Sequence, residues 1–186
     1  MRHGVPEFFR TLSDQYEIVI FTREPSTYAM PIIDKMDSEG YIWYRLYRDF
    51  TRHEKGEYYK DLTNLNRDLR RVILLDTRAD ASKTHPENVV VAPKWDGKSM
   101  DFWLLDLIPF LQTLASTRTT DVRPILTSYQ GTDIPSAFAE NQKRLEAEME
   151  LRRAQQAQQA QLQASKPQLT PPAFGGAGGS VNPWRR

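Results

Sequence analysis

Three short runs of β-branched and aromatic residues constrain this chain more than anything else: YEIVIFT (16–22), RVILLD (71–76) and ENVVVAP (87–93). None alternates apolar with polar residues, so each reads as a strand buried on both faces. Such strands occur where helices cover both sides of a parallel sheet. The segments between them carry helical patterns. Pro6 opens a short one with Phe8, Phe9 and Leu12 on one face. Ser26 is placed to cap a second, with Tyr28, Ala29, Ile32, Ile33 and Met36 as its apolar positions, and Pro31 inside it allows a kink. DFWLLDLIPFLQTLA (101–115) is apolar at helical spacing despite Pro109. YIWYRLYR (41–48) and EYYK (57–60) flank a charged stretch ending in Lys55-Gly56, which predicts a long β-hairpin. Together these elements predict an α/β fold built on a parallel sheet with an inserted hairpin.

The chain changes character after about residue 116. STRTTDVRPILTSYQGTD (116–133) has no clear period and reads as an ordered extension, which puts the end of the domain near residue 135. Residues 136–165 are rich in helix formers but lack a wide apolar face, so they predict a charged, solvated helix. Residues 166–186 hold four Gly within 175–179 and Pro at 167, 171, 172 and 183, the composition of a disordered tail.

Charge and cysteine content exclude several functions. Twenty-five basic against 24 acidic side chains leave a net charge of +1, not the basic excess of a general nucleic-acid binder. With no cysteine there is no disulfide, thiolate catalysis or Cys-ligated zinc. His3, His53 and His85 stand apart, so no metal cluster is expected. No apolar stretch approaches the roughly 18–20 residues that span a bilayer. The start, MRHGVPEFF, carries no readable address.

Chemistry in an α/β sheet sits at the carboxyl ends of its strands. Thr22 ends the first run, Asp76 ends the second, and Lys60 ends the hairpin. A hydroxyl, an ammonium and a carboxylate converging there would suit a phosphoryl group and a magnesium ion. The plainer alternative makes Thr22 a strand cap, Lys60 a solvated side chain and Asp76 the start of a turn.

Several segments match one known family in order. IVIFT (18–22), GYIWYRLYRD (40–49), KDLTNLNRDLRRVILLD (60–76), PENVVV (86–91) and WDG (95–97) resemble the NLI-interacting-factor domain. That domain belongs to the haloacid-dehalogenase-like phosphatases acting on the RNA polymerase C-terminal tail. LIPFLQTLA (107–115) followed by DVRPIL (121–126) is similar to one branch of it, the presequence receptors of the mitochondrial inner-membrane protein translocase.

The resemblance implies a haloacid-dehalogenase-like, Rossmann-like sheet and a set of roles. Thr22 and Lys60 fall on the family's phosphate-binding positions and Asp76 on its metal-binding acidic position. After it the phosphatases read Asp-Asn-Ser-Pro, where this chain reads Asp76-Thr77-Arg78-Ala79. Their Asp-x-Asp nucleophile motif lies on a central first strand and would precede Arg2. The expectation is therefore a sheet lacking that strand, with no direct ladder between 17–22 and 72–76. No catalysis, cofactor or metal is expected of Thr22, Lys60 and Asp76, which would be vestigial. The implied function is a receptor that binds precursor proteins in the intermembrane space and hands them to the channel subunit, with a membrane anchor expected upstream. Its partners would be that channel, other translocase subunits and basic amphipathic presequences, not nucleic acid. Its place would be the mitochondrial inner membrane, facing the intermembrane space. Arg45 and Arg48 would dock the channel subunit, or else keep a sheet edge soluble. Asp49, Glu54, Glu57 and Asp61 would meet the presequence's positive charge, with Asp76 at the mouth. Tyr41, Trp43, Tyr44, Tyr47, Tyr58 and Tyr59 would give an apolar wall, about half of them being core instead. The alternative is an active polymerase-tail phosphatase whose Asp motif is encoded upstream.

Overall fold

The architecture begins at Gly4, whose φ of 81° starts helix α1 (Val5–Leu12) from a left-handed residue. A Cβ there would lie 2.7 Å from Leu105 Cγ, so glycine also permits a close approach to helix α3 (Trp103–Ser116). The computed structural model describes residues 1–164. Strand β1 (Ile18–Phe21) leads through helix α2 (Ser26–Met36) into strand β2 (Ile42–Leu46), which pairs parallel to β1. Strands β3 (Arg52–Glu54) and β4 (Glu57–Tyr59) form a short antiparallel hairpin. Strand β5 (Leu74–Asp76) pairs parallel with β6 (Val89–Val91). The strands thus make three two-stranded sheets, and no ladder joins β1 to β5 among the described residues.

The hairpin differs from the sequence expectation. Residues 41–48 do not pair with 57–60; β2 returns beside β1, and a 3-10 turn over Arg48–Phe50 separates it from β3. Alternating aromatics mark a half-exposed strand without saying whether its partner is parallel or antiparallel. Lys55 (φ 52°) and Gly56 (φ 82°) close the real hairpin, the double left-handed geometry that two-residue turns favour.

Helix α3 supplies the core. Leu107, Phe110, Leu111 and Leu114 pack with Leu12, Val90, Val122, Leu126 and Ile134. Val122 and Leu126 come from the segment without a period, which folds as helix α4 (Arg123–Ser128) and is tied by Val122 N–H to the Arg70 carbonyl at 2.8 Å. Phe110 meets Tyr129 and Phe138 edge-on, at 5.3 and 5.5 Å between ring centroids. Helix α5 (Ile134–Ala164) starts two residues earlier than its composition suggests, because Ile134 is buried in this core. Residues 1–142 form one compact unit. The second unit begins at Lys143, and from there to Gln161 every residue is exposed. The Pro/Gly-rich segment 166–186, read as a disordered tail, lies outside the described residues.

Candidate functional site

The residues singled out at the carboxyl ends of the strands fall into two groups. Lys60, just after β4, and Asp76, at the end of β5, meet in an ion pair of 2.5 Å, with side chains only 9% and 12% exposed. The main chain fixes both residues. Lys60 N–H donates to the Ala81 carbonyl at 2.8 Å. Asp76 Oδ1 accepts from Arg78 N–H at 3.0 Å, and its carbonyl accepts from Ala92 N–H at 2.7 Å. Lys60 is therefore not the solvated side chain of the plainer reading. Thr22 behaves as a cap: its N–H donates to Leu46, and its hydroxyl accepts from Glu24 N–H at 3.1 Å. It makes no hydrogen bond to Lys60 or Asp76.

The proposed binding residues are mostly engaged within the chain. Asp61 is buried and accepts from the Thr63 N–H and hydroxyl, with Arg52 at 3.4 Å. Burial raises its pKa, but the Thr63 and Arg52 hydrogen bonds outweigh that and hold the carboxyl below its ordinary value. Glu57 is paired with Lys83 at 3.0 Å, which lowers its pKa. Glu54 accepts a long hydrogen bond, 3.4 Å, from the Tyr59 hydroxyl. Asp49 is exposed, with no partner among the described residues. Arg45 pairs with Asp34 at 2.5 Å and lies 4.0 Å from Asp37. Arg48 donates to the Arg23 carbonyl at 2.7 Å, stands 3.7 Å from Glu24, and lies over the Tyr58 ring at 5.0 Å. Of the aromatic wall, Tyr59 is core, Trp43 and Tyr44 are exposed, and Tyr41, Tyr47 and Tyr58 are half-buried.

Two features escaped the sequence reading. Asp37 is buried and ties down the turn before β2, accepting from Tyr41 N–H at 2.7 Å and Ile42 N–H at 3.1 Å. A cavity of about 330 Å³ opens between Arg23, Arg48, Tyr58 and Arg78, with Glu24 and Glu57 on its wall. Arg23 follows Thr22 directly and Arg78 is two residues past Asp76, so position beside strand ends was the available signal.

The metal of haloacid-dehalogenase-like phosphatases does not fit this donor set. Among the described residues no three His, Asp or Glu side chains are grouped to hold an ion, and the Asp76 carboxylate is already taken by Lys60 and Arg78 N–H.

The chain belongs to the NLI interacting factor-like phosphatase family, whose match covers residues 1–123. Within that class it is similar to particular proteins. It is 44% identical over 155 residues to mitochondrial import inner membrane translocase subunit TIM50 of Mus musculus, covering 83% of this chain and 44% of that protein. The subunit tim50 of Aspergillus fumigatus is 44% identical over 142 residues, covering 76% and 28%. The chain thus spans less than half the length of these relatives. Among solved structures, the RNA polymerase II CTD phosphatase Fcp1 aligns with a TM-score of 0.45 and 21% identity, over 64% of this chain and 35% of that one. No described helix is long and apolar enough to cross a membrane.

Proposed function

We propose that this chain is the binding domain of a presequence receptor in the mitochondrial inner-membrane protein translocase, facing the intermembrane space. The observation that carries this reading is the 44% identity to translocase subunits across most of the chain. Incoming presequences are basic amphipathic helices, so a receptor needs carboxylates beside aromatic surface. Asp49 and Glu54 are free of cation partners among the described residues, Glu57 shares Lys83, and exposed Tyr44 offers apolar contact. Asp61 supports the hairpin from within. Arg45 and Arg48, 31% and 40% exposed at their side chains, remain the proposed contacts for the channel subunit.

One binding experiment tests both contacts. A fluorescent basic amphipathic peptide and the channel subunit's soluble segment are titrated against the 186-residue chain below micromolar protein. Glu54→Gln with Glu57→Gln is expected to weaken the peptide by about 3- to 10-fold and to flatten its salt dependence. Arg45→Gln with Arg48→Gln is expected to weaken the channel segment while leaving the peptide unchanged. Peptide affinity indifferent to salt and to both glutamates would remove the hairpin from the presequence site.

Catalysis forms no part of the proposal. The sequence contains no Asp-x-Asp, and the surviving Lys60 and Asp76 neutralise each other. Phosphoryl transfer through an aspartyl intermediate needs a free carboxylate nucleophile. Residues 1–186 with magnesium and p-nitrophenyl phosphate are expected to give no turnover above background. Turnover that is lost in a folded Asp76→Asn variant would favour the phosphatase reading that the family name carries.

A further inference from the structure

The register of β1 and β2 is broken once. Ile18 faces Ile42, but Val19 faces Tyr44, so Trp43 is an extra residue in a parallel ladder. Bulges are uncommon in parallel pairs, and they re-aim a side chain. Here the bulged residue is a tryptophan left 68% exposed. It forms one wall of a second cavity, of about 280 Å³, whose other walls come from the Ser13–Glu17 turn ahead of β1. Tyr16 makes the floor rigid, its hydroxyl donating to the Leu111 carbonyl at 2.6 Å. Asp14 stands at the rim, exposed and without an ion-pair or hydrogen-bond partner among the described residues.

The same surface already holds one guanidinium in the way this notch would hold another. Arg67 forms a two-pronged pair with Glu17, at 2.7 and 2.8 Å, and lies over the Tyr44 ring at 5.9 Å. A carboxylate and an aromatic face grip one cation together. Asp14 and Trp43 line the same cavity and offer the same two kinds of group, with no cation paired to either among the described residues. The neighbouring arginine is spent as well, since Arg10 pairs with Glu7. Glu39, which accepts from the Tyr41 hydroxyl, adds a second carboxylate without a cation partner among the described residues.

We propose that the notch between Trp43 and Asp14 receives a lysine or arginine side chain of a basic amphipathic segment, the ligand class of the proposed function on which this inference rests. It lies at the amino-terminal ends of β1 and β2, away from the β3–β4 hairpin in the chain, and would give such a segment a second point of contact.

The test is a double-mutant cycle on the full 186-residue chain below micromolar protein. The probes are a fluorescent basic amphipathic peptide and the same peptide with each arginine replaced by citrulline, which keeps the shape and removes the charge. Asp14→Asn with Trp43→Ala is expected to weaken the arginine peptide roughly 3- to 30-fold, from one exposed ion pair and one cation–π contact. The citrulline peptide should bind both proteins alike. Both substituted side chains are exposed, and an unchanged thermal transition verifies the fold. If the arginine peptide binds wild type but ignores these substitutions, the notch is overturned while the receptor reading stands. No binding of the arginine peptide to wild type overturns both.

Discussion

Asp76→Ala is expected to destabilise the 1–142 unit by about 3–5 kcal/mol, a large part of the roughly 5–15 kcal/mol that holds an ordinary domain together. The cost arises because the substitution strands the Lys60 ammonium. Its side chain is 9% exposed, and its pair with Asp76 is its one ion pair among the described residues. Removing one partner of a buried pair leaves a charge that neither water nor protein compensates. The damage should spread through the hairpin. Two strands of three residues are marginal alone. β3 and β4 are held by Lys60 on Asp76, by Lys60 N–H on Ala81 and by buried Tyr59. Urea unfolding followed by tryptophan fluorescence, below micromolar protein, measures the loss. Lys60→Met with Asp76→Leu removes both charges together and should recover most of it, since apolar replacement of a buried pair is often neutral or stabilising. A loss under about 1 kcal/mol for Asp76→Ala would mean that water reaches the ammonium and that the hairpin does not depend on it.

How far the sequence went can be argued from the same residues. The runs ending at Phe21, Asp76 and Val91, and the helices around Phe9, Ile33 and Phe110, were legible because burial leaves a periodic trace. Lys60 and Asp76 were singled out, together with Thr22, by their places at strand ends. Their ion pair with each other was not legible, since β4 and β5 belong to different sheets. Thr22 satisfied the same rule but serves its own strand, because its hydroxyl is taken by Glu24 N–H two residues on. The pairings of Arg45 with Asp34 and of Arg48 with the Arg23 carbonyl left no trace in the sequence, since partners 11 and 25 residues away meet only after α2 folds back. Asp37 was invisible for a related reason. A carboxylate that satisfies two backbone N–H groups looks, in one dimension, like any polar turn residue. The bulge at Trp43 was equally hidden, because a period of two describes a regular ladder and cannot announce an inserted residue.

At high concentration the 186-residue chain is expected to associate with itself through β1 and β5. Ile18 and Ile20 of β1 and Leu75 of β5 pack against one cluster, made by Val5, Phe9 and Leu104, so both strands lie on the same helical layer. Yet no backbone hydrogen bond joins them among the described residues. β1 spends one edge on β2, and β5 spends one on β6; among the described residues the N–H and C=O groups on the opposite edge of each strand have no backbone partner. Sealed from water, each such group would cost about 1–3 kcal/mol. Ile18, Val19 and Ile20 are half-buried, so water meets part of that demand in the monomer. A second chain would meet it better, because strand addition satisfies the edge and covers apolar side chains in the same step. Sedimentation should find monomer below about 1 μM and growing assemblies toward about 100 μM, the range in which open strand edges begin to aggregate. A peptide of sequence IVIFT with alternate amides N-methylated pairs on one edge only, and adding it should hold the chain monomeric. If the chain stays monomeric across that range without the peptide, the two edges are closed to other strands, and the gap between β1 and β5 is filled by water alone.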